Sequence, residues 1–569
     1  MRILLIVLLC LLCTYQIHAQ TAILSGYDIV SPVGGQNGMV VTGEPLAAQV
    51  GLDVLKNGGN AIDAAVAVGF AMAVTLPKAG NIGGGGFMVI HLNTGETIAI
   101  DFRETAPASA HRDLFLDSNG DVDETLSRYS HHSAGVPGTV AGLAAALEKY
   151  GTQSLSATLE PAIQLAQNGF NISPRFAHDL SSRKKRFAQW PASAKVFLKP
   201  KGELYQSGEV FKQPDLAGTL KSIQKNGPKA FYQGDIADLI VGEMKKHNGL
   251  ITKADLAAYK PVFRNPVRGT YRDFEILSMP PPSSGGVHIV QILNILEGFD
   301  LQSLGHNSAA TLHCMAEAMK YAYADRSKYL GDPDFSPVPI SGLTSKSYAD
   351  QLRQKIAHNQ ATPSTNINPG KPPRYESGET THYSVIDKHG NAVAVTYTIN
   401  FSFGSGIVVD GAGFLLNNEM DDFSSKPGVP NAYGLIGGEA NAIEPNKRML
   451  SSMSPTIVLK NGKPYIITGS PGGSRIITTT LQVILNVIDH NMNIQEAVNA
   501  TRIHHQWLPD ELRTEPGLSP DTIHLLKNLG HTVAIKSTMG SAASILIDPK
   551  TNMYYGASDP RRQGLAIGY

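Results

Sequence analysis

The sequence predicts an α/β protein, on three observations. Helical patterns fill residues 130–260 and 305–355, strand patterns dominate after residue 380, and apolar residues make up 42% of the chain, which is ordinary for a soluble globular protein. A length of 569 residues favours two to four domains, although single large α/β domains also occur. The net charge is zero, so nothing in the composition indicates nucleic acid or an anionic membrane as a partner.

The N-terminus is predicted to be a targeting segment. Arg2 precedes an apolar run at 3–13, which is too short to span a bilayer and is typical of a signal peptide, 1–19, cleaved after Ala19. We therefore expect a periplasmic or secreted protein with no stable membrane anchor. Two of the three cysteines leave with this segment, so the mature chain keeps only Cys314 and forms no internal disulfide.

The first elements of the mature chain are predicted to be two helices, at 45–55 and 61–76. The second is rich in Ala and Val and is expected to be buried. The glycine-rich stretch 80–86 matches neither a phosphate loop nor a dinucleotide fingerprint. We interpret it as a tight backbone passage into a strand at 87–92.

Residues 358–378 differ from their surroundings. They are polar, carry several prolines and glycines and show no periodicity, which predicts a flexible segment. Further along, strands are predicted at 413–417, 456–459 and 465–468, and a long helix at 474–490.

Two alternating strands follow the flexible segment and are joined by the turn Lys388-His389-Gly390. If Asp387 pairs with Asn391 across this turn, the same register places Thr380 opposite Thr398. A slip by one residue would undo that pairing, so it depends on the turn.

The doublet Thr380-Thr381 begins the first of these strands. A threonine hydroxyl is a weak nucleophile, but it becomes a good one when its own residue has a free α-amino group that acts as base. Such an amine has an ordinary pKa near 8, so it is substantially neutral at physiological pH. This chemistry requires cleavage between Glu379 and Thr380. A Thr-Thr pair is usually structural. Whether Thr380 is a nucleophile must therefore be judged from the other motifs of the chain.

Two further segments offer chemistry. The turn Gly469–Arg475 precedes the long helix, and its glycines either aim N–H groups at an oxyanion or form a plain turn. The segment Asn417–Phe423 groups three carboxylates, which suit a substrate ammonium or a metal, or form a solvated acidic turn. No histidine stands near them at ligand spacing, so we expect no metal site.

Other polar residues have a functional and a structural interpretation. Arg103 follows an apolar strand and is suited to clamp a carboxylate, or to pair with Glu104. Ser451 and Ser452 offer two hydroxyls before a strand. His313-Cys314 is interpreted as helix packing, since adjacent helical residues do not face each other. The basic run 181–186 is interpreted as a solvated helix face.

Together these segments resemble γ-glutamyltransferases (γ-glutamyltranspeptidases) of the N-terminal nucleophile hydrolase superfamily, from about residue 25 to Tyr569. The motifs that match in order and spacing are Thr380 to Val385, Asn417 to Phe423, Leu450 to Thr456, Gly469 to Arg475 and Ser558 to Arg561. The resemblance implies a four-layer αββα sandwich that needs no cofactor. It also implies autocleavage at Glu379-Thr380 into a large subunit, 20–379, and a small catalytic subunit, 380–569, intertwined as one domain.

The resemblance also implies the role of each residue. Thr380 is nucleophile and base, Thr398 bonds its hydroxyl, and the N–H groups of Gly472 and Gly473 form the oxyanion hole. The α-carboxylate of the γ-glutamyl group goes to Arg103, Ser451 and Ser452, and its α-ammonium goes to Asn400, Glu419 and Asp422. Tyr433, in a lid loop at 427–438 that resembles bacterial members, covers the substrate.

The expected reaction takes a γ-glutamyl group from glutathione or glutamine onto Thr380 and passes it to water or an acceptor amine. Two residues depart from the family pattern: Glu379 replaces a frequent Gln, and Met449 replaces a usual Pro, which predicts a looser approach to Ser451. The nearest alternative is a glutaryl or cephalosporin acylase of the same superfamily, which has no reason to bind an α-ammonium. Further alternatives are a poly-γ-glutamate transpeptidase and an uncut binding protein.

Overall fold

Two seven-stranded sheets form the centre of the structure, a computed structural model that describes residues 30–372 and 382–569. The predicted signal peptide, its cleavage after Ala19, and Glu379, Thr380 and Thr381 lie outside the described residues. The elements below all belong to one compact unit, Pro32–Tyr569.

Nineteen strands are present among the described residues. In chain order they are β1 Val33–Gly35, β2 Gly38–Thr42, β3 Gly85–His91, β4 Thr97–Phe102, β5 Phe170–Asn171, β6 Val210–Phe211, β7 Val262–Arg264, β8 Val267–Tyr271, β9 Phe274–Ser278, β10 Tyr383–Asp387, β11 Ala392–Thr398, β12 Thr456–Lys460, β13 Lys463–Thr468, β14 Ile503–His504, β15 Leu512–Thr514, β16 Val533–Ile535, β17 Ala543–Ile547, β18 Tyr554–Ser558 and β19 Leu565–Gly568.

The α-helices of the described residues lie mostly before residue 373. They are α1 Pro45–Lys56, α2 Ala61–Thr75, α3 Glu124–Tyr129, α4 Thr139–Tyr150, α5 Leu155–Asn168, α6 Pro174–Phe187, α7 Pro191–Phe197, α8 Pro214–Asn226, α9 Lys229–Tyr232, α10 Asp235–Lys246, α11 Lys253–Ala258, α12 Gly285–Leu296, α13 Leu301–Leu304, α14 Ala309–Tyr329, α15 Ile340–Leu343, α16 Lys346–Arg353, α17 Arg475–Ile488, α18 Ile494–Asn499 and α19 Pro520–Asn528. None of them is long and apolar enough to cross a bilayer.

The first sheet has the strand order β1-β18-β17-β13-β12-β9-β8, and the second has the order β19-β2-β10-β11-β3-β4-β7. Every neighbouring pair in both sheets is antiparallel. Each sheet combines strands that precede residue 373 with strands that follow residue 381. The predicted cut would therefore leave two segments that share both sheets.

Alternating side chains divide each sheet between two cores. In β2, Met39 and Val41 face the apolar layer between the sheets, whereas Val40 packs against α1 and α2. In β12, Ile457 likewise faces the inter-sheet layer, and Val458 packs against the helices on the other side. This period of two, applied to both sheets, gives four layers and confirms the expected αββα sandwich.

Local sequence explains the buried helix α2. Asn60 and Asp63 form a reciprocal capping box at its start, which satisfies N–H groups that the helix leaves without partners. All fifteen residues of the helix are buried, as predicted from its Ala and Val content. Helix α1 also lies where the sequence predicts it.

The glycine passage and the hairpin confirm two further predictions. A Cβ on Gly84 would lie 2.0 Å from the carbonyl oxygen of Thr398, so only glycine permits the chain to pass so close. Beyond the passage runs β3. In the hairpin, Tyr383 pairs with Val395 and Ile386 with Ala392, which is the register predicted from the turn.

The structure contradicts two predictions. Residues 413–417 form no strand: Gly413 has φ +76°, and Leu415 makes only an isolated bridge with Val408. The described part of the segment predicted to be flexible, 358–372, is bonded to distant elements. For example, Lys320 donates to the carbonyl of Thr362 at 2.7 Å.

Candidate active site

A cavity of about 640 Å³ collects most of the residues predicted to act on substrate. Its lining includes Thr398, Asn400, Glu419, Asp422, Tyr433, Ser451, Ser452, Gly472 and Gly473. Arg103 is fully buried and bonded to two of these carboxylates. Residues separated by up to several hundred positions in sequence thus meet at one place, while Thr380 and Glu379 lie outside the described residues.

Arg103 follows strand β4 and lies outside the cavity lining, bonded to two carboxylates that belong to it. Its Nη1 lies 2.6 Å from Glu419 Oε2, and its Nη2 lies 2.6 Å from Asp422 Oδ2. Burial alone would lower the pKa of Arg103, but the charges of Glu419, Glu104 and Asp422 raise it above its usual range. The guanidinium therefore stays charged and holds both carboxylates in place.

The carboxylates are held in a buried turn rather than a solvated one. Glu419–Asp422 is a short 3₁₀ helix, and Asn417 Oδ1 accepts from the Glu419 N–H at 3.0 Å. Burial raises the pKa of Glu419 well above its usual value, against the charge of Arg103. Glu419 Oε1 is buried and accepts no hydrogen bond from a described residue. It is available to a donor that enters the cavity.

Ser451 and Ser452 also line the cavity, and both are buried. Arg326 Nη2 donates to Ser452 Oγ at 3.3 Å, and Arg326 Nε donates to Ser284 Oγ at 3.0 Å. Arg326 is a cavity residue that the sequence did not single out, because its place in helix α14 carries no motif. Met449, where we expected a looser approach, is fully buried, and its carbonyl accepts from Arg103 Nε at 3.3 Å.

Gly472 and Gly473 form the turn before helix α17, with φ angles of +143° and +60°. Both angles belong to the left-handed region that favours glycine. Neither N–H donates a hydrogen bond to another described residue. The two groups can therefore point at an oxyanion in the cavity.

Tyr433 covers this turn. Its hydroxyl donates to Asn400 Oδ1 at 2.9 Å, and a Cβ on Gly473 would lie 2.7 Å from its ring. Asn400 itself has φ +69° and donates its backbone N–H to Thr398 Oγ1 at 2.7 Å. The predicted lid residue is thus joined to a predicted binding residue, which is in turn bonded to Thr398.

His382 is the first described residue after the doublet. Its Nε2 lies 2.6 Å from Ser384 Oγ and 3.0 Å from the carbonyl oxygen of Ala543, and burial lowers its pKa to about 3. A Cβ on Gly469 would lie 2.5 Å from the imidazole. A neutral, packed histidine therefore fixes the start of β10 against the turn that leads to Gly472.

Two histidine clusters of the described residues lie away from this cavity, and neither suits a metal. In the first, the rings of His131 and His247 are stacked with only 16° between their planes, so their lone pairs do not converge on one point. In the second, His313 Nδ1 lies 2.8 Å from His531 Nε2, and His313 Nε2 lies 2.7 Å from the Ala357 carbonyl oxygen. These ring nitrogens are therefore already hydrogen-bonded within the protein.

The remaining two predictions concern residues outside the chemistry. Cys314 is buried in helix α14 among apolar side chains, and burial raises the pKa of its thiol to about 11, as expected for a packing residue. The basic run lies on helix α6, with Lys184 and Lys185 exposed as predicted. Arg183 and Arg186 of the same run, however, line the cavity.

The two facing antiparallel sheets, the helical layers outside them and the glycine turn beside the hairpin define a hydrolase of the N-terminal nucleophile class. The model of the gamma-glutamyltranspeptidase family matches residues 47–569, and the chain belongs to that family. This confirms the family and the enzyme class predicted from the motifs.

Relatives and solved structures agree with this assignment. The chain is 57% identical over 543 residues to the glutathione hydrolase proenzyme of Escherichia coli, covering 95% of this chain and 93% of the relative. It is similar to gamma-glutamyltranspeptidase of Helicobacter pylori at 52% identity and a TM-score of 0.58, covering 58% of this chain and 95% of the other. It is also similar to cephalosporin acylase from Bacillus halodurans at 30% identity and a TM-score of 0.84, covering 97% and 99%.

Proposed function

We propose that this chain is a proenzyme that cuts itself between Glu379 and Thr380 and then transfers γ-glutamyl groups from glutathione and related amides. The observation that carries the proposal is the buried group of Arg103, Glu419 and Asp422 beside the cavity. A zwitterionic amino-acid head needs one cation and an anion in close proximity, and this group supplies both. Relatives at 57% and 50% identity are named glutathione hydrolase proenzymes.

Maturation follows from the nucleophile. The Thr380 hydroxyl attacks the carbonyl carbon of Glu379, the amide C–N bond breaks, and the nitrogen becomes the free amine of Thr380. The resulting ester is hydrolysed by water, which leaves subunits 20–379 and 380–569. The amine that is released is the base which the hydroxyl needs in every later turnover.

Recognition of the γ-glutamyl head uses a different group of residues for each of its two charges. Its α-carboxylate is bound by Arg103, Ser451 and Ser452, whose hydroxyls donate. Its α-ammonium donates to Glu419 and Asp422. Glu419 Oε1 supports this assignment, because a buried acceptor that no described residue satisfies is costly unless a ligand donates to it. Asn400 supplies a further acceptor beside them.

Catalysis then takes place at the γ-carbonyl. The Thr380 hydroxyl attacks it and passes its proton to the Thr380 amine, while the N–H groups of Gly472 and Gly473 stabilise the oxyanion. The leaving amine takes that proton, and a γ-glutamyl ester remains. Water or an acceptor amine releases it. Thr398 orients the attacking hydroxyl, and Tyr433 covers the ester.

Location and partners complete the proposal. The signal peptide 1–19 directs the precursor to the periplasm or outside the cell, where glutathione, glutamine and amine acceptors are the small molecules it meets. We expect activity without a metal or a cofactor, because the threonine amine and the glycine N–H groups supply the base and the oxyanion donors.

The test is the chain composition of the purified protein. Wild-type protein should give two bands on a denaturing gel, and N-terminal sequencing of the smaller one should read Thr380-Thr381-His382. The Thr380→Ala variant should remain one uncut band without activity. A wild-type chain that stays whole yet hydrolyses γ-glutamyl amides would show that this mechanism is wrong.

The acylase alternative is tested with paired substrates. A glutaryl amide has the shape of a γ-glutamyl amide but lacks its α-ammonium. Because Glu419 and Asp422 would then remain without that partner, kcat/KM should be at least a hundredfold higher for the γ-glutamyl amide. Higher activity on the glutaryl amide would overturn our choice.

A further inference from the structure

The cavity extends beyond the γ-glutamyl site along a wall of cationic side chains. This basic wall consists of Lys78, Arg175, Arg183, Arg186, Arg475 and Arg562. Three carboxylates are among the described residues that line the cavity: Asp179, Glu419 and Asp422. Glu419 and Asp422 are bonded to Arg103, which leaves Asp179 to compensate the charge of the basic wall. The wall therefore has a clear excess of positive charge.

Asp179 does not neutralise the wall, because two of its cations already share that carboxylate. Lys78 forms an ion pair with Asp179 Oδ2, and Arg175 Nε lies 3.3 Å from Asp179 Oδ1. Arg186 lies over the ring of Tyr129, with its Cζ 3.6 Å from the centroid. Arg183 Nε is buried and has no hydrogen-bond partner among the described residues.

Arg475 and Arg562 have no such partners. Within the described part of the chain, neither guanidinium makes an ion pair or a hydrogen bond, although both line the cavity. Burial lowers the pKa of Arg475, and the nearby charges of Arg513 and Arg562 lower it further. Burial and the charge of Arg175 lower the pKa of Arg562, against the charges of Asp179 and Asp559, neither of which forms an ion pair with it. Two cations held close to like charges are stabilised by any anion that comes between them.

The position of these cations relates them to the reaction. Arg475 is the first residue of helix α17 and follows Gly473, one of the two proposed oxyanion donors, by two positions. A dipeptide leaving group spans about 7 Å from the scissile nitrogen to its carboxylate. An arginine side chain beside the oxyanion turn covers a similar distance, so the carboxylate of such a leaving group falls within its reach.

We propose that Arg475 and Arg562 form a second carboxylate site, which binds the C-terminal carboxylate of the peptide that leaves a γ-glutamyl donor. This inference rests on the proposed function and deepens it. The site would favour γ-glutamyl peptides with a free terminal carboxylate over donors without one, such as glutamine. Arginine suits this role because its planar guanidinium binds a carboxylate through two parallel N–H groups.

The experiment compares glutathione with its glycine-amide derivative, which differs only in the terminal charge. We expect the ratio of kcat/KM for the acid to that for the amide to be at least ten in wild-type protein. In R562Q and in R475Q this ratio should fall at least threefold, and in the double variant it should approach one. R562K should keep an intermediate ratio, because it keeps the charge but loses the planar donors.

The matched control is K185Q, which removes an exposed charge from helix α6 outside the cavity lining and should leave the ratio at its wild-type value. An equal ratio in wild-type protein, R562Q and R475Q would overturn the second site. If wild-type protein cleaved neither donor, the proposed function itself would fail. If it cleaved both equally well, only the present inference would fail.

Discussion

Arg103 and Glu419 form a fully buried ion pair, with Nη1 2.6 Å from Oε2 and neither side chain exposed. Taking two charges out of water is costly, and their attraction offsets that cost only when the geometry is good. Here Asp422 provides a second bond to the same guanidinium. In the structure, the residues predicted to bind opposite ends of the substrate therefore bind each other, and a zwitterion would join an arrangement that is already in place.

The first prediction follows from this pair. Glu419→Gln keeps the shape of the side chain but leaves Arg103 with less compensating charge, so the free energy of unfolding should fall by about 3 kcal/mol. The neutral amide also binds an ammonium poorly, so KM for a γ-glutamyl amide should rise at least tenfold. Chemical denaturation and steady-state kinetics measure the two effects separately.

Glu439→Gln is the matched control. Glu439 pairs with Arg112 in an ion pair that is mostly exposed, and such pairs contribute little. Stability and KM should both stay close to wild type in this variant. A Glu419→Gln enzyme with wild-type KM would contradict the assignment of Glu419 to the ammonium.

The second prediction concerns the lid. Tyr433→Phe removes the hydroxyl that donates to Asn400 Oδ1 and keeps the ring over Gly473. A neutral hydrogen bond contributes about 1 kcal/mol, so KM should rise about fivefold with a smaller change in kcat. Tyr465→Phe is the control, because it removes the same hydroxyl from a tyrosine whose ring packs against Phe274. An unchanged KM in Tyr433→Phe would mean that this bond does not hold the lid over substrate.

The third prediction separates backbone strain from contact with the lid. Gly473 and Gly462 have similar φ angles, +60° and +73°, so alanine at either position should cost about 1 kcal/mol of stability. A Cβ at Gly462 meets nothing within 4 Å, whereas one at Gly473 lies 2.7 Å from Tyr433. Gly473→Ala alone should therefore lower kcat/KM, by at least tenfold. Equal kinetic losses in both variants would argue against an oxyanion turn.

Much of the framework could be predicted because its causes are local. The turn Lys388-His389-Gly390 sets the hairpin register, and Tyr383 indeed pairs with Val395. The glycines at 472 and 473 and the helix that follows predict a tight turn, and both residues have positive φ angles there. The strand predicted at 456–459 likewise corresponds to β12.

The errors arose where distant contacts override local pattern. Residues 358–372 have a flexible composition, yet Ser364 N–H donates to Asp510 and Trp507 Nε1 donates to the Ser364 carbonyl. The strand predicted at 413–417 is replaced by a loop, since Leu416 and Asn417 donate to Ile407 and Gly83. The sequence does not indicate Arg326 as a site residue, because its place in the cavity depends on a contact with Ser452, which lies more than a hundred residues away.

The last prediction concerns the pH dependence of stability and a buried histidine, His531, which is hydrogen-bonded to His313. Burial lowers the pKa of His531 to about 3, aided by the charges of Lys320, His313 and His505 and opposed by that of Asp510. In the unfolded chain the same imidazole has a pKa of 6.5, so below that pH the unfolded state binds a proton that the folded state rejects. Stability contributed by neutral His531 is thus present above pH 6.5 and is lost as the pH falls towards 3.

The measurement is a difference between two proteins, because several buried carboxylates with raised pKa values titrate in the opposite sense. From pH 7.5 to 5.0, wild-type protein should lose about 2 kcal/mol of unfolding free energy relative to H531Q, which has no proton to bind. The exposed His524, changed to Gln, should give a much smaller difference. If the gap between wild type and H531Q were the same at both pH values, His531 would have to titrate alike in the folded and unfolded chains.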